Sequence, residues 1–336
     1  MANSRIKSVV QYVLMAALTV ALLWVSLRGL NVGDKGDKGA FLWDTWKKAH
    51  KGYLLLMAGL VMLSHVIRAE RWRMLLVPTG NNVKLSSSFL SLMIGYLVNL
   101  AIPRGGEVSR CYNLLKLEET PVETSFGTVV TERIVDLCCL ILLIGLCFFV
   151  EWERLQHFIN TLNFSSGEGG GFKFPVWLFI LAALGVAAIV ALFLLRKNQK
   201  LRKILLGFKE GLLSVFQLKN KGLFIFYSVA IWVLYGLMSY AVLKAFPETN
   251  QLGFSAVLTL FAIGSIAMAA PLPGGTGSYH VLVPAGLVML YSLRQDEATA
   301  FTFIFHAWQT LIMIVAGFIS LIISYWLIRW KKAKTK

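Results

Sequence analysis

The sequence predicts an all-α polytopic membrane protein with about six spanning helices and two broken or re-entrant helical hairpins. These make eight hydrophobic segments arranged as an inverted-topology repeat. Three observations carry the prediction. Of 336 residues, 57% are hydrophobic and 15% charged, with mean hydropathy +0.67, an apolar excess beyond that of soluble domains. Six apolar runs are long enough to cross about 30 Å of hydrocarbon. Two more stop at "PRGGE" and "PLPGGTGSY" rather than at a charged loop. No polar stretch suffices for a separate soluble domain, so residues 1–336 read as a single integral membrane domain.

The first run, 9–29, follows Arg5 and Lys7; it exceeds the apolar core of a signal peptide and lacks a small-residue cleavage site, so it is expected to remain as an anchor helix. A loop, 31–52, mixes lysines with Asp34, Asp37 and Asp44, and leads to the second run, 53–73. The third run, 124–150, precedes a stretch with Glu151, Glu153 and Glu168, after which comes the fourth, 176–195. In 197–221, Leu201, Ile204, Leu205, Phe208, Leu212, Val215 and Phe216 recur at helical spacing among lysines and arginines. That pattern reads as an amphipathic helix on the cytoplasmic leaflet, with a protein-docking surface as the alternative. The runs 223–246 and 299–329 complete the six.

Lys and Arg number 33 against 17 Asp and Glu, a formal +16. The basic residues sit at the ends of the runs, as the positive-inside rule expects, and place both termini on the cytoplasmic face of a bacterial inner membrane. Such belts attract anionic phospholipid at roughly 1 kcal/mol per residue. No basic patch interleaves with exposed aromatics, so nucleic acid is not an expected partner. Cys111, Cys138, Cys139 and Cys147 show neither zinc-ligand spacing nor a disulfide framework and read as packing residues; no metal or other cofactor is expected.

The interrupted runs are 86–102, resuming at 107–117, and 254–270, resuming at 278–293. Proline lacks an N–H and glycine is a poor helix former, so each run breaks, and the freed backbone is tolerated only inside protein or beside a wet cavity. By the counted crossings, the first unit enters from the cytoplasm and the second from outside. The repeat units are then 86–150 and 254–329, with Gly105 and Gly106 aligned to Gly274 and Gly275, and Ala101 to Ala270.

Candidate binding residues cluster at these breaks. In the first, Pro103 ends a helix, Gly105 and Gly106 let the chain turn, Glu107 meets the next helix dipole favourably, and Arg104 and Arg110 offer forked donors suited to phosphate, helped by free amides. In "TVVTERIVDL", Glu132 and Asp136 share a face with Thr128 behind them, and Arg133 is able to pair with Asp136. The six residues Arg104, Glu107, Arg110, Glu132, Arg133 and Asp136 balance in charge and are expected to close one buried network; an interfacial salt-bridge cluster without function is the competing reading. In the second, Pro273, Gly274, Gly275, Thr276, Gly277 and Ser278 resemble an anion nest, followed by Tyr279 and His280, while His306, Gln309 and Thr310 share a face of the last helix. A lone intramembrane histidine is more often a hydrogen-bonded packing residue than a catalyst or ligand, and packing is the competing reading for His280 and His306.

At "PRGGEVSR", "TERIVDL" and "PLPGGTGSY" the chain resembles the lysylphosphatidylglycerol synthase transmembrane region family, over about 10–330. The family pattern falls on Pro103, Arg104, Gly106, Glu107, Arg110, Glu132, Arg133, Asp136, Pro273, Gly274 and Gly275. The resemblance implies a multi-pass inner-membrane protein that handles or flips a phospholipid or a polyprenyl-type lipid. The aminoacyl-transferase domain of bifunctional relatives is absent here, so lipid aminoacylation is not expected. Many relatives place a glutamate after the Pro-Gly-Gly turn where this chain has Tyr279 and His280.

Three functions compete at this level. A lipid translocator would use the broken units as a headgroup path. An intramembrane transferase or hydrolase acting on a lipid-linked substrate would use Glu107, Glu132 or Asp136 as base. A membrane partner of a glycosyltransferase or lipid-modifying enzyme would use 197–221 for docking; a homodimer is also open.

Overall fold

A computed structural model describes residues 17, 19–28, 30, 37–150, 152, 199–269 and 272–334. Among these every regular element is helical. We number them α1 (Thr19–Arg28), α2 (Lys38–Lys48), α3 (Lys51–Leu76), α4 (Leu85–Ala101), α5 (Gly105–Glu118), α6 (Val122–Val150), α7 (Gln199–Leu213), α8 (Lys221–Ala245), α9 (Phe254–Ala269), α10 (Ser278–Tyr291) and α11 (Gln295–Lys334). Lys51–Thr79, Lys221–Ala245 and Gln295–Lys334 are long and apolar enough to cross a membrane, and α6 adds 29 residues. The expected span 176–195, residues 9–16, 18 and 29 of the first run, and Ala270 and Pro271 of the second break lie outside the described residues.

The two interrupted runs are hairpins. At 17 and 16 residues, α4 and α9 rise only about 25 Å, short of the hydrocarbon thickness. Each then meets a 14-residue helix that folds back along it. On the first, Ser91 accepts from Asn113 at 2.9 Å and Ser87 donates to Glu118, an antiparallel register that puts Leu85 and Glu118 at one end. Gly95 and Gly106 face each other at the crossing: a Cβ on Gly106 would lie 2.1 Å from the Gly95 carbonyl oxygen. On the second, the Tyr291 hydroxyl donates to Thr259 at 2.9 Å and Gly286 faces Ile263. Gly274, Gly275 and Gly277 turn its tip with φ of +56°, +71° and +100°, a region that suits glycine.

The two tips touch. A Cβ on Gly274 would lie 2.9 Å from Leu100 Cδ2, the last full turn of α4. Around them, α3 and α8 run antiparallel, tied by the His50 amide to the Ala245 carbonyl at 2.7 Å. α11 crosses α4 at Gly317, where a Cβ would meet Leu97. The main core, with Met57, Met93, Phe246, Val283 and Phe301 among its members, joins α3, α4 and α8–α11. Large apolar side chains such as Leu142, Phe149 and Trp326 point outward, as lipid-facing residues must.

Two elements depart from the sequence reading. Within the loop 31–52, Lys38–Lys48 is a helix, capped by Asp37, whose carboxylate accepts from the Gly39 amide at 2.9 Å, and stacked on the core through Trp46 against Trp308. Its charges conceal it, because its contact with the main core is made by two apolar side chains, Leu42 and Trp46. The amphipathic helix within 197–221 does form as α7, but it is packed along α6 rather than lying free. Gly127 and Gly211 allow this contact: a Cβ on Gly211 would lie 2.1 Å from the Thr124 carbonyl oxygen.

Candidate functional site

The site is built where α3, α5, α6 and α8 meet. Glu132, fully buried on α6, is its centre. Its Oε1 accepts from Arg68 Nε at 2.6 Å and from Arg71 Nη2 at 3.3 Å, and its Oε2 accepts from Arg110 Nη2 at 2.8 Å. One turn along, Asp136 accepts from Arg68 at 2.5 Å and Arg71 at 2.6 Å, so two arginines three apart on α3 clamp two carboxylates four apart on α6. Tyr235 and Ser228 of α8 accept from Arg68 and Arg71 at 3.1 and 3.3 Å. The Arg110 guanidinium stacks 4.6 Å from the Trp72 ring centroid, and that indole donates to Thr128 at 2.9 Å. At the rim, Arg133 donates to Glu107 at 2.8 Å, joining α6 to α5.

Among the described residues four arginines therefore meet three carboxylates, leaving one positive charge in excess. Two of the three Arg110 nitrogens, Nε and Nη1, are buried without a hydrogen-bond partner among the described residues, although the residue is only 2% exposed. Glu107 Oε2 and the Tyr96 hydroxyl are likewise buried and unpartnered. A burial penalty of about 1–3 kcal/mol attends each such group. Tyr96, Glu107 and Arg110 line one cleft with Leu92, Gly95, Asn99, Gly106 and Arg133. In this conformation its volume of about 10 Å³ holds roughly one water.

The sequence candidates are distributed unevenly over this geometry. Glu107, Arg110, Glu132, Arg133 and Asp136 come together as expected. Arg104 does not join them: it is exposed at the α4–α5 turn with φ +60°, and Arg68 and Arg71 take the place expected for it in the network. Four of the glycine-turn amides are also taken. The Gly105 amide donates to Ile102 and the Gly106 amide to Asn99 Oδ1 at 2.7 Å, while those of Gly275 and Thr276 donate within their own turn.

Pro273, Gly274, Gly275, Thr276 and Tyr279 form the second tip, apart from the arginines. His306 Nε2 binds the Gly274 carbonyl at 3.0 Å and His280 packs 4.7 Å from its ring, with Ser26 of α1 donating to the His280 carbonyl at 2.5 Å. Gln309 is half-buried on α11 one turn from His306.

Sequence reasoning missed Arg68, Arg71, Trp72, Tyr96, Asn99 and Tyr235 as site residues. The signal was present for two of them: Arg68 and Arg71 fall inside the apolar run 53–73, where an arginine must find a partner, yet they read as rim charges. Because Arg104 sits outside the network in a left-handed conformation, Arg104→Gly is expected to raise thermal stability in detergent by about 1 kcal/mol. The same substitution at Arg110 is expected to lower it.

Comparison with known proteins places the chain among membrane proteins. A family model for the lysylphosphatidylglycerol synthase TM region matches residues 9–317. A UPF0104 membrane protein of Methanocaldococcus jannaschii is 24% identical over 317 residues, covering 84% of this chain and 88% of its own. A UPF0104 membrane protein of Methanothermobacter thermautotrophicus is 24% identical over 276 residues, covering 74% and 78%. A second one from M. jannaschii is 27% identical over 207 residues, covering 61% and 83%. No solved structure matches significantly. With its apolar helices, paired breaks and match along most of its length, the chain belongs to the lysylphosphatidylglycerol synthase TM region family of multi-pass membrane proteins.

Proposed function

We propose that the protein is a lipid translocator, passing the anionic or zwitterionic headgroup of a phospholipid or polyprenyl-linked lipid across the cytoplasmic membrane while the tails stay in the bilayer. One observation carries this reading. Among the described residues, Arg110 is buried on the wall of a cleft with two nitrogens unpartnered, inside a network with one positive charge to spare. A phosphate oxygen is the partner that satisfies both deficits at once. The touching tips support two hairpins entering from opposite faces, with the basic segment ends, Arg104 included, collecting lipid at the rims. Since the cleft holds about one water here, this conformation is a closed one, and passage requires α5 to part from α6 where Glu107 and Arg133 join them.

The carboxylates favour transport over a transferase or hydrolase. Each of Glu107, Glu132 and Asp136 accepts from at least one arginine, so each neutralises charge instead of standing ready to take a proton from a nucleophile. The test is headgroup scrambling in proteoliposomes. Wild-type protein is expected to move labelled lipid faster than empty vesicles, and Arg110→Lys, which keeps the charge but loses the planar donors, is expected to slow it at least tenfold, about 1.4 kcal/mol. No movement above empty vesicles, across phospholipids and polyprenyl phosphates, would refute the reading.

A further inference from the structure

We propose that Glu107 makes this site selective for headgroups bearing a hydrogen-bond donor beside the phosphate, a hydroxyl or an N–H ammonium, over headgroups that bear none. The inference rests on the translocator reading and specifies its substrate. Glu107 Oε1 is occupied by Arg133 at 2.8 Å, whereas Oε2 is buried with no partner among the described residues. An ionised carboxylate only accepts, so the group that completes it must donate. Glu107 lies three residues before Arg110 on α5, hence on the same face one turn away, and both line the cleft. A phosphate accepting from one of the free Arg110 nitrogens in this cleft would bring its substituent within reach of the Glu107 oxygen.

A trimethylammonium offers only C–H groups there. It would leave Oε2 buried and unpaired, which a site built for a donor discriminates against strongly. Phosphatidylethanolamine and phosphatidylcholine carry the same net charge and differ in N–H donors, so they isolate this effect from the excess positive charge of the network. Phosphatidylglycerol supplies hydroxyl donors and one full negative charge, and is expected to bind tightest.

The experiment measures equilibrium binding of dihexanoyl phosphatidylglycerol, phosphatidylethanolamine and phosphatidylcholine to the full chain in mild detergent. Wild type is expected to prefer the ethanolamine lipid to the choline lipid about tenfold. Glu107→Ala is expected to bring that ratio close to one, with Glu107→Gln intermediate. Arg110→Ala is expected to weaken all three alike. Equal wild-type affinities, absent binding, or a ratio unchanged in both Glu107 variants would overturn the proposal; size-exclusion profiles confirm that the variants remain folded.

Glycerophosphoethanolamine and glycerophosphocholine, which lack acyl chains, form the second arm. Weak binding with the ratio retained supports a lipid ligand, whereas binding as tight as the lipids' overturns the lipid source in favour of a soluble phosphodiester. Binding is read without vesicles, so a protein that keeps the ratio yet moves no lipid refutes the translocator reading and leaves the selectivity of the site intact.

Discussion

Glu132→Gln is expected to be the most damaging conservative substitution in the protein. The side chain keeps its shape, yet three buried guanidinium groups lose the carboxylate they share, since Arg68, Arg71 and Arg110 all donate to it. Asp136 remains for the first two, and Arg110 is left with none among the described residues. Breaking a buried pair by neutralising one partner costs about 3–5 kcal/mol, because the surviving charge stays out of water. Inside a membrane it has less water to turn to. The variant is expected to aggregate at markedly lower temperature in detergent and to show no headgroup movement. Combining it with Arg71→Gln removes one surplus cation and is expected to recover part of the stability. If the double variant is as unstable as the sum of the single ones, charge imbalance is not what holds Glu132 in place.

Gly106→Ala is expected to have the second largest effect, through backbone contact alone. A Cβ there would sit 2.1 Å from the Gly95 carbonyl oxygen and 2.7 Å from the Asn99 side chain, so no rotamer change at position 95 relieves it. α4 and α5 must separate, the Gly106 amide loses Asn99, and Arg110, one turn further on α5, shifts from Glu132 and Trp72. Overpacking of this kind costs about 1–3 kcal/mol or more, and displacement of Arg110 is expected to abolish lipid movement as well. Gly105→Ala is the internal control. Its Cβ would meet side-chain atoms and no backbone, Ile102 Cγ2 at 2.8 Å, Ile102 Cβ at 3.1 Å and Val98 Cγ1 at 3.3 Å, so the loss is expected to be smaller than at Gly106. Since alanine is the better helix former, propensity alone would stabilise both variants, and an equal loss at the two glycines would show that backbone contact at the α4–α5 crossing does not set the effect.

Some features were legible from residue order because they are local. The break at Pro103–Gly106 is one: a proline without an N–H and two poor helix formers interrupt the hydrogen-bond ladder wherever they occur. The extents of α3, α6 and α8 followed within a few residues from apolar length. Glu132 and Asp136 were identifiable because a charge inside a spanning run needs a partner. What residue order did not show is which partner.

The sequence by itself determined that this chain lies in a membrane, that two of its helices are interrupted, and that α5 and α6 carry ionised side chains. Tertiary structure alone decided that both interruptions are antiparallel hairpins touching at Leu100 and Gly274, that Arg68 and Arg71 replace Arg104 around Glu132, and that Arg110 keeps two donors unmet among the described residues. The reason is range. Apolar length and helix breaking are properties of neighbouring residues, whereas Arg68 meets Glu132 across 64 positions and Arg71 meets Ser228 across 157, distances over which periodicity carries no information. Only packing, through glycines such as Gly95 and Gly106 that let helices close to backbone contact, brings those charges together.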